Sequence, residues 1–197
     1  VTRDKYRDLG NGVLRVLERV EAPGTPAEST TTWTYTDATG TGEIGVDGTI
    51  TPADPTVPPN QLTGGRVASL RRTGGYWEKF SYQYNPGTRM LTAREWSVWQ
   101  DAPFGDTANC RERIITLEGG ARTVIEKLAG QIIANTHETL VVGSDGSRTL
   151  RETRQGGSAA PAQVTETSYH GNTTAGPDKG RIKYQRRADG TRVRFTY

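Results

Sequence analysis

The chain is poor in aliphatic residues. Leu, Ile, Val and Phe account for 34 of 197 residues, about 17% and below the roughly 20% under which disorder competes with folding. Disorder of that kind also needs a large net charge, yet 25 basic residues against 22 acidic ones leave only +3. Four Trp, eight Tyr and many Thr favour a folded chain. The scarcity therefore excludes a thick two-layered globule, not a fold. Cysteine is nearly absent as well. Cys110 stands alone, which excludes an internal disulfide framework and a Cys-based metal site. No apolar run approaches the ~20 residues of a bilayer-spanning helix. The start, Val1-Thr2-Arg3-Asp4-Lys5, lacks a signal-peptide core and an initiator Met, so the sequence reads as a mature product or a piece of something longer. The basic excess is small and spread along the chain, so nucleic acid is not an expected partner.

Helical periodicity is also scarce. The best helical candidate, Arg122 to Ile133, is interrupted by Gly130 and opens on Thr123-Val124-Ile125, which favours a strand. Period-two alternation is widespread instead. Trp77, Lys79, Ser81 and Gln83 alternate with Glu78, Phe80, Tyr82 and Tyr84. Arg192, Arg194 and Thr196 alternate with Val193, Phe195 and Tyr197. Each such strand presents one apolar or aromatic face and one charged or hydroxyl face, the pattern of antiparallel sheet with a wet side. Asp145-Gly146-Ser147-Arg148 and Asp189-Gly190-Thr191-Arg192 are near copies of one hairpin signal. Gly120-Ala121-Arg122 and Gly87-Thr88-Arg89 repeat a related device in which Gly supplies positive φ. The expected architecture is all-β, one domain over 1–197, built of consecutive antiparallel hairpins. A Pro- and Gly-rich loop insertion is expected at about 40–64, with a small hairpin at Asp47-Gly48. Shorter loops are expected at Gly156 to Pro161 and Gly171 to Gly180.

Self-similarity is the strongest signal. Gly65-Arg66-Val67 placed over Gly180-Arg181-Ile182 also aligns Arg71 and Arg72 with Arg186 and Arg187, Gly75 with Gly190, Phe80 with Phe195 and Tyr82 with Tyr197, without a gap. A degenerate third copy runs from Gly12-Val13-Leu14 to Trp33-Thr34-Tyr35-Thr36-Asp37, and a fourth trace is Tyr169-His170-Gly171-Asn172. The pattern is Gly-Arg-aliphatic, about seven residues, an Asp-Gly-like turn such as Asp189-Gly190, then aromatic-x-Tyr leading to Asp or Asn and Gly.

This pattern resembles the YD repeat of Rhs proteins, of shell subunits of insecticidal toxin complexes and of teneurins. The match is best over Gly180 to Tyr197 and next best over Gly65 to Gly87, through Tyr82-Gln83-Tyr84-Asn85. Asn85 and Thr36 stand where the family usually has Asp, and residues 90–165 match only as generic hairpins. The resemblance implies a ribbon-like sheet, curved and spiralling, as a segment of a hollow shell whose wall is one sheet thick. Such a shell encloses or displays a toxin or partner polypeptide and belongs to secreted or cell-surface bacterial proteins. It implies partners at open sheet edges: the rest of a larger chain, for which the motif breaks off at Tyr197, or neighbouring subunits. Rhs shells end in a self-cleaving Asp-Pro motif. Asp54-Pro55 lacks the surrounding pattern, so no cleavage is assigned.

The inventory for catalysis is thin. His137 and His170 are the only histidines and read as strand and turn residues. No spacing suggests zinc, no carboxylate pair is singled out for glycoside hydrolysis, and no Gly-rich loop precedes a helix to hold phosphate. Cys110 reads as an inert thiol despite the neighbouring Arg111. No cofactor and no metal are expected, and the chain is read as non-enzymatic. The rival to the shell reading is a carbohydrate-binding or adhesin-like module using Tyr76, Trp77, Trp96 and Trp99 as a glycan platform. Trp96, Val98 and Gln100 share one strand face and Ser97 and Trp99 the other, so one of these tryptophans faces the wetter side. Aromatics that simply pack are the structural alternative. Arg192 and Arg194 are candidates to attract an acidic glycan or cargo, against the simpler reading of a solvated strand face.

Overall fold

The computed structural model describes residues 1–9, 12, 14–37, 40, 42–45, 47, 50–51, 64–157, 160–171 and 178–197. These residues form an all-β protein, one antiparallel meander. Its strands in sheet order are β1 (Thr2–Asp8), β2 (Leu14–Glu21), β3 (Ser29–Thr36), β6 (Val67–Arg72), β7 (Trp77–Asn85), β8 (Met90–Ser97), β9 (Arg111–Glu118), β10 (Ala121–Leu128), β11 (Gln131–Val142), β12 (Arg148–Gln155), β13 (Gln163–Tyr169), β14 (Ile182–Arg186) and β15 (Arg192–Arg194). A short pair, β4 (Glu43–Ile44) and β5 (Ile50–Thr51), branches from β3. The sheet is open, neither closed nor strongly curled, so the expected spiral is not developed within these residues. A meander accumulates twist between neighbours, but its first and last strands meet only if tilt and stagger close the sheet.

The segment with helical spacing forms β10 and the start of β11, as the β-branched residues required. Ala129 and Gly130 between them have φ of 45° and 77°, the paired positive values of a tight hairpin turn whose twist matches its strands. The two Asp-Gly hairpins share one construction. In the first, the Gly143 amide donates to the Ser147 carbonyl at 2.8 Å and Gly146 to Gly143 at 2.9 Å. In the second, Arg187 donates to Thr191 at 2.8 Å and Gly190 to Arg187 at 3.0 Å. The turn at residues 85–90 departs from expectation. Gly87 is not the left-handed residue there; Arg89 is, at φ 55°. Gly87 instead allows close approach of Asn85, whose Oδ1 accepts the Gly87 amide at 2.9 Å.

The insertion is not all loop. The small hairpin expected at Asp47 is β4–β5, with Glu43 opposite Thr51 and Ile44 opposite Ile50; Asp54-Pro55 lies outside the described residues. β2 pairs with β3 only over Glu18–Glu21, and β4 takes the neighbouring place beside Tyr35 and Thr36. Leu17 is the extra residue of a bulge between β1 and β2 and is 1% exposed. It meets Leu9, Tyr35 and Ile44 in a buried cluster, with Trp33 and Val67 packed against it. A buried cluster thus forms where the inserted hairpin meets β2 and β3.

Candidate functional site

The internal repeat is matched in its Arg–Tyr contact, its bulge and its backbone hydrogen-bond frame. Arg66 lies over the Tyr82 ring at 5.2 Å, and Arg181 lies over Tyr197 at 4.7 Å. Tyr35 faces Val67 and Tyr169 faces Ile182, each beside a bulge whose extra residue is Ala68 in one copy and Lys183 in the other. Thr36 donates to the Arg66 carbonyl at 2.8 Å, and His170 donates to that of Arg181 at 2.9 Å. Gly65 and Gly180 return the bond to Thr36 and His170, at φ of 67° and 71°. Only left-handed backbone opens the strand this way, which explains Gly at both places. Gly75 and Gly190 match at 87° and 84° in the turns. Tyr35-Thr36, at the end of the third copy, and Tyr169-His170, in the fourth trace, thus lie on the strands that precede the two complete copies. The long insertion after Thr36 occupies the position of the short loop after His170. Burial raises the Tyr82 hydroxyl pKa, opposed by Arg66.

The proposed glycan platform is dispersed rather than assembled. Trp77 is 2% exposed, and its indole Nε1 donates to the Ala102 carbonyl at 2.8 Å. Phe104 packs edge-on against it at 5.7 Å and lies under the Arg71 guanidinium at 3.4 Å. Trp77 is therefore a packing residue with no ring face free. Trp96 sits opposite Lys79 on the same sheet face as Trp77. Trp99 lies beneath Arg111, 4.7 Å from its guanidinium carbon. Tyr76 is exposed, and its hydroxyl donates to Glu78, which pushes its pKa up to about 12. Sequence reasoning missed Phe104 and the 98–110 segment as the cover of Trp77. The apolar pair Pro103-Phe104 in a polar loop was the available signal.

A groove of about 550 Å³ crosses β7–β10, lined by Phe80 from the other face and also reached by Trp96. Register places Glu78 and Phe80, then Glu95, Arg111 and Arg113, then Glu126 and Leu128 along it. Arg113 approaches Glu95 at 3.5 Å and Glu126 at 4.0 Å. These are loose, solvated pairs, each contributing less than about 1 kcal/mol. A shallow groove with one phenyl face and alternating acceptors and donors suits a hydroxyl-rich ligand better than a metal. Among the described residues no three His, Cys, Asp or Glu come together to hold an ion. His137 is an exposed strand residue with Nδ1 2.9 Å from the Thr123 hydroxyl, and the His170 backbone serves the repeat. Cys110 is buried and its thiol lies 3.4 Å from the Thr107 carbonyl; burial, then Glu112 and Asp106, raises its pKa, which disfavours the reactive thiolate.

No protein-family model matches the chain, and neither a curated protein nor a solved structure matches it.

Proposed function

We propose that the chain is a non-enzymatic wall segment of YD-repeat type from a secreted or surface-associated bacterial protein, working by enclosing or displaying a partner polypeptide. The observation that carries this reading is the repeated Arg-over-Tyr contact, Arg66 on Tyr82 and Arg181 on Tyr197, held in the same hydrogen-bond frame. A repeat that reproduces its junction with the preceding strand is built to be extended, because each unit stabilises the next through neighbour contacts. A sheet with water on one face and cargo on the other needs few aliphatics, which accords with the composition. The curvature that a shell needs would come from further repeats, the sheet of the described residues being open. Electron microscopy of the protein expressed with its native flanking sequence tests this. Hollow particles are expected; solid or purely fibrous ones would overturn the reading.

A second reading is kept for the groove on β7–β10. Phe80 with Glu78, Glu95, Glu126, Arg111 and Arg113 gives an apolar surface beside polar groups, the arrangement that receives a sugar ring. A glycan array with Phe80→Ala and Trp99→Ala variants decides it. Lost binding supports a carbohydrate module, and silence from the unaltered chain removes it.

A further inference from the structure

The two copies of the repeat differ in what lies over one face. In the first, Arg71 and Trp77 are direct neighbours across β6 and β7, and the segment after β8 folds back on them. Phe104 stacks on Arg71 and meets Trp77, and Ala102 receives the indole N–H. Asp101 lines the same hollow of about 480 Å³ as Arg71 and Arg72. The cover, Asp101-Ala102-Pro103-Phe104-Gly105-Asp106, thus brings one carboxylate, Asp101, and one phenyl ring to the arginines and no cation, while Asp106 accepts the Ala108 and Asn109 amides within its own loop.

In the second copy the corresponding residues are Arg186 and Arg192, again direct neighbours, with Arg194 in the place of Lys79. All three are exposed, and among the described residues none forms an ion pair. Arg192 leans over Tyr184 at 5.1 Å. Glu166, opposite Arg186, gives its carboxylate to the Tyr184 hydroxyl at 2.7 Å. Like charges directly opposite on a sheet destabilise it, and among the described residues none covers this pair as Phe104 covers Arg71. Guanidinium groups accept both a stacked ring and a carboxylate.

We propose that this face of the second copy is a docking surface for an acidic, phenylalanine-bearing extended segment of a partner polypeptide, seated as Asp101–Asp106 is seated on the first copy. The exchange of Trp77 for Arg192 fits that role. A buried indole holds its cover permanently, whereas an arginine pair holds one that can leave. The inference rests on the repeat geometry and is independent of the shell reading.

The probe is a labelled peptide with the sequence of residues 98–108, added to the whole chain and followed by fluorescence anisotropy. Saturable binding is expected, weakened about tenfold or more, roughly 1.4 kcal/mol, by Arg192→Glu with Arg194→Glu. The same loss is expected when the peptide carries Phe104→Ala or Asp101→Asn. Arg3→Glu, on the far strand, is expected to change nothing. A photo-reactive phenylalanine at position 104 of the peptide is expected to cross-link to residues 182–197, which tests the site without altering the chain. No saturable binding, equal affinity for the Phe104→Ala peptide or for polyglutamate, indifference to the arginine variants, or cross-links to β6 and β7 would each overturn the proposal.

Discussion

The sheet has a covered part and a bare part. Over β1–β7 two additions lie on it: the β4–β5 hairpin, which brings Ile44 to Leu17 and Tyr35, and the 98–110 segment, which brings Phe104 to Trp77. Over β9–β12 the hairpins are tight and, among the described residues, no connection folds back on them. There Leu117, Ile132, Ile133, Leu140, Val141 and Val142 remain 42–64% exposed. What differs is connection length, and it teaches that this fold gathers its buried cluster where a long connection returns to the sheet, whereas over β9–β12 only Val124 and Ala134 are buried.

The contrast predicts very unequal mutational costs. Trp77→Ala or Leu17→Ala is expected to destabilise the protein by about 3–5 kcal/mol, from lost burial and an unfilled cavity. Val141→Ala or Val142→Ala, on equally apolar residues, is expected to change stability by less than about 0.5 kcal/mol. Urea unfolding of the four variants measures this, and similar costs in both parts would break the distinction.

A bare surface can still hold one tight contact. A Cβ added at Gly171 would lie 2.6 Å from the Asp145 carbonyl oxygen, so the hairpin at 143–148 and the loop after β13 touch through backbone. Gly171→Ala is expected to cost about 1–3 kcal/mol by forcing that contact apart. Hydrogen exchange should accelerate first at the Gly143 and Gly146 amides. An unchanged exchange pattern would show that the contact contributes nothing to the bare part.

The repeat contacts come next in size. Arg66→Ala and Arg181→Ala each remove a cation over a tyrosine ring, at partly solvated sites where such contacts are worth about 0.5–1 kcal/mol. Equal losses are expected although Arg66 lies beside the covered region and Arg181 does not, because the two pairs share one frame. A several-fold larger loss for Arg66 would mean that the cover, rather than the repeat, sets the value of the contact.

Much of this was legible in the residues. The alternation of Trp77 to Tyr84 and the Asp-Gly pairs place strands and hairpins, since side-chain period and positive φ are local properties. The offset joining Arg66 with Arg181 and Tyr82 with Tyr197 located contacts that register then brought together. The cover over Trp77 was hidden because it depends on where a thirteen-residue connection (98–110) folds back, which no local period records. For the same reason Trp77, Trp96 and Trp99 read as one cluster, although Trp77 lies under Phe104 and Trp99 under Arg111. Gly87 misled because the turn gives its left-handed position to Arg89, with Asn85 stabilising the bend.

The smallest effect separates turn chemistry from cover altogether. Asp145 sits in a hairpin that touches Gly171, whereas Asp189 sits in one whose turn Gly190 has open space around it. Both carboxyls are held below their ordinary value of 3.8. Asp145 is lowered first by the Ser147 side chain and then by its amide, with Lys183 adding less; Asp189 is lowered first by the Thr191 side chain and then by its amide. A depressed native pKa means that the folded state favours the ionised form. The stabilisation is therefore complete above the unfolded pKa of about 3.9 and is lost as pH falls through the native value. Acid titration followed by carboxyl NMR is expected to show both groups titrating below the ordinary range. Asp145→Asn and Asp189→Asn should each flatten the decline in stability below about pH 4 and leave neutral pH almost untouched. If only Asp145 titrates low, its neighbours and not the turn hold the proton away, and the likeness of the two hairpins ends at the backbone.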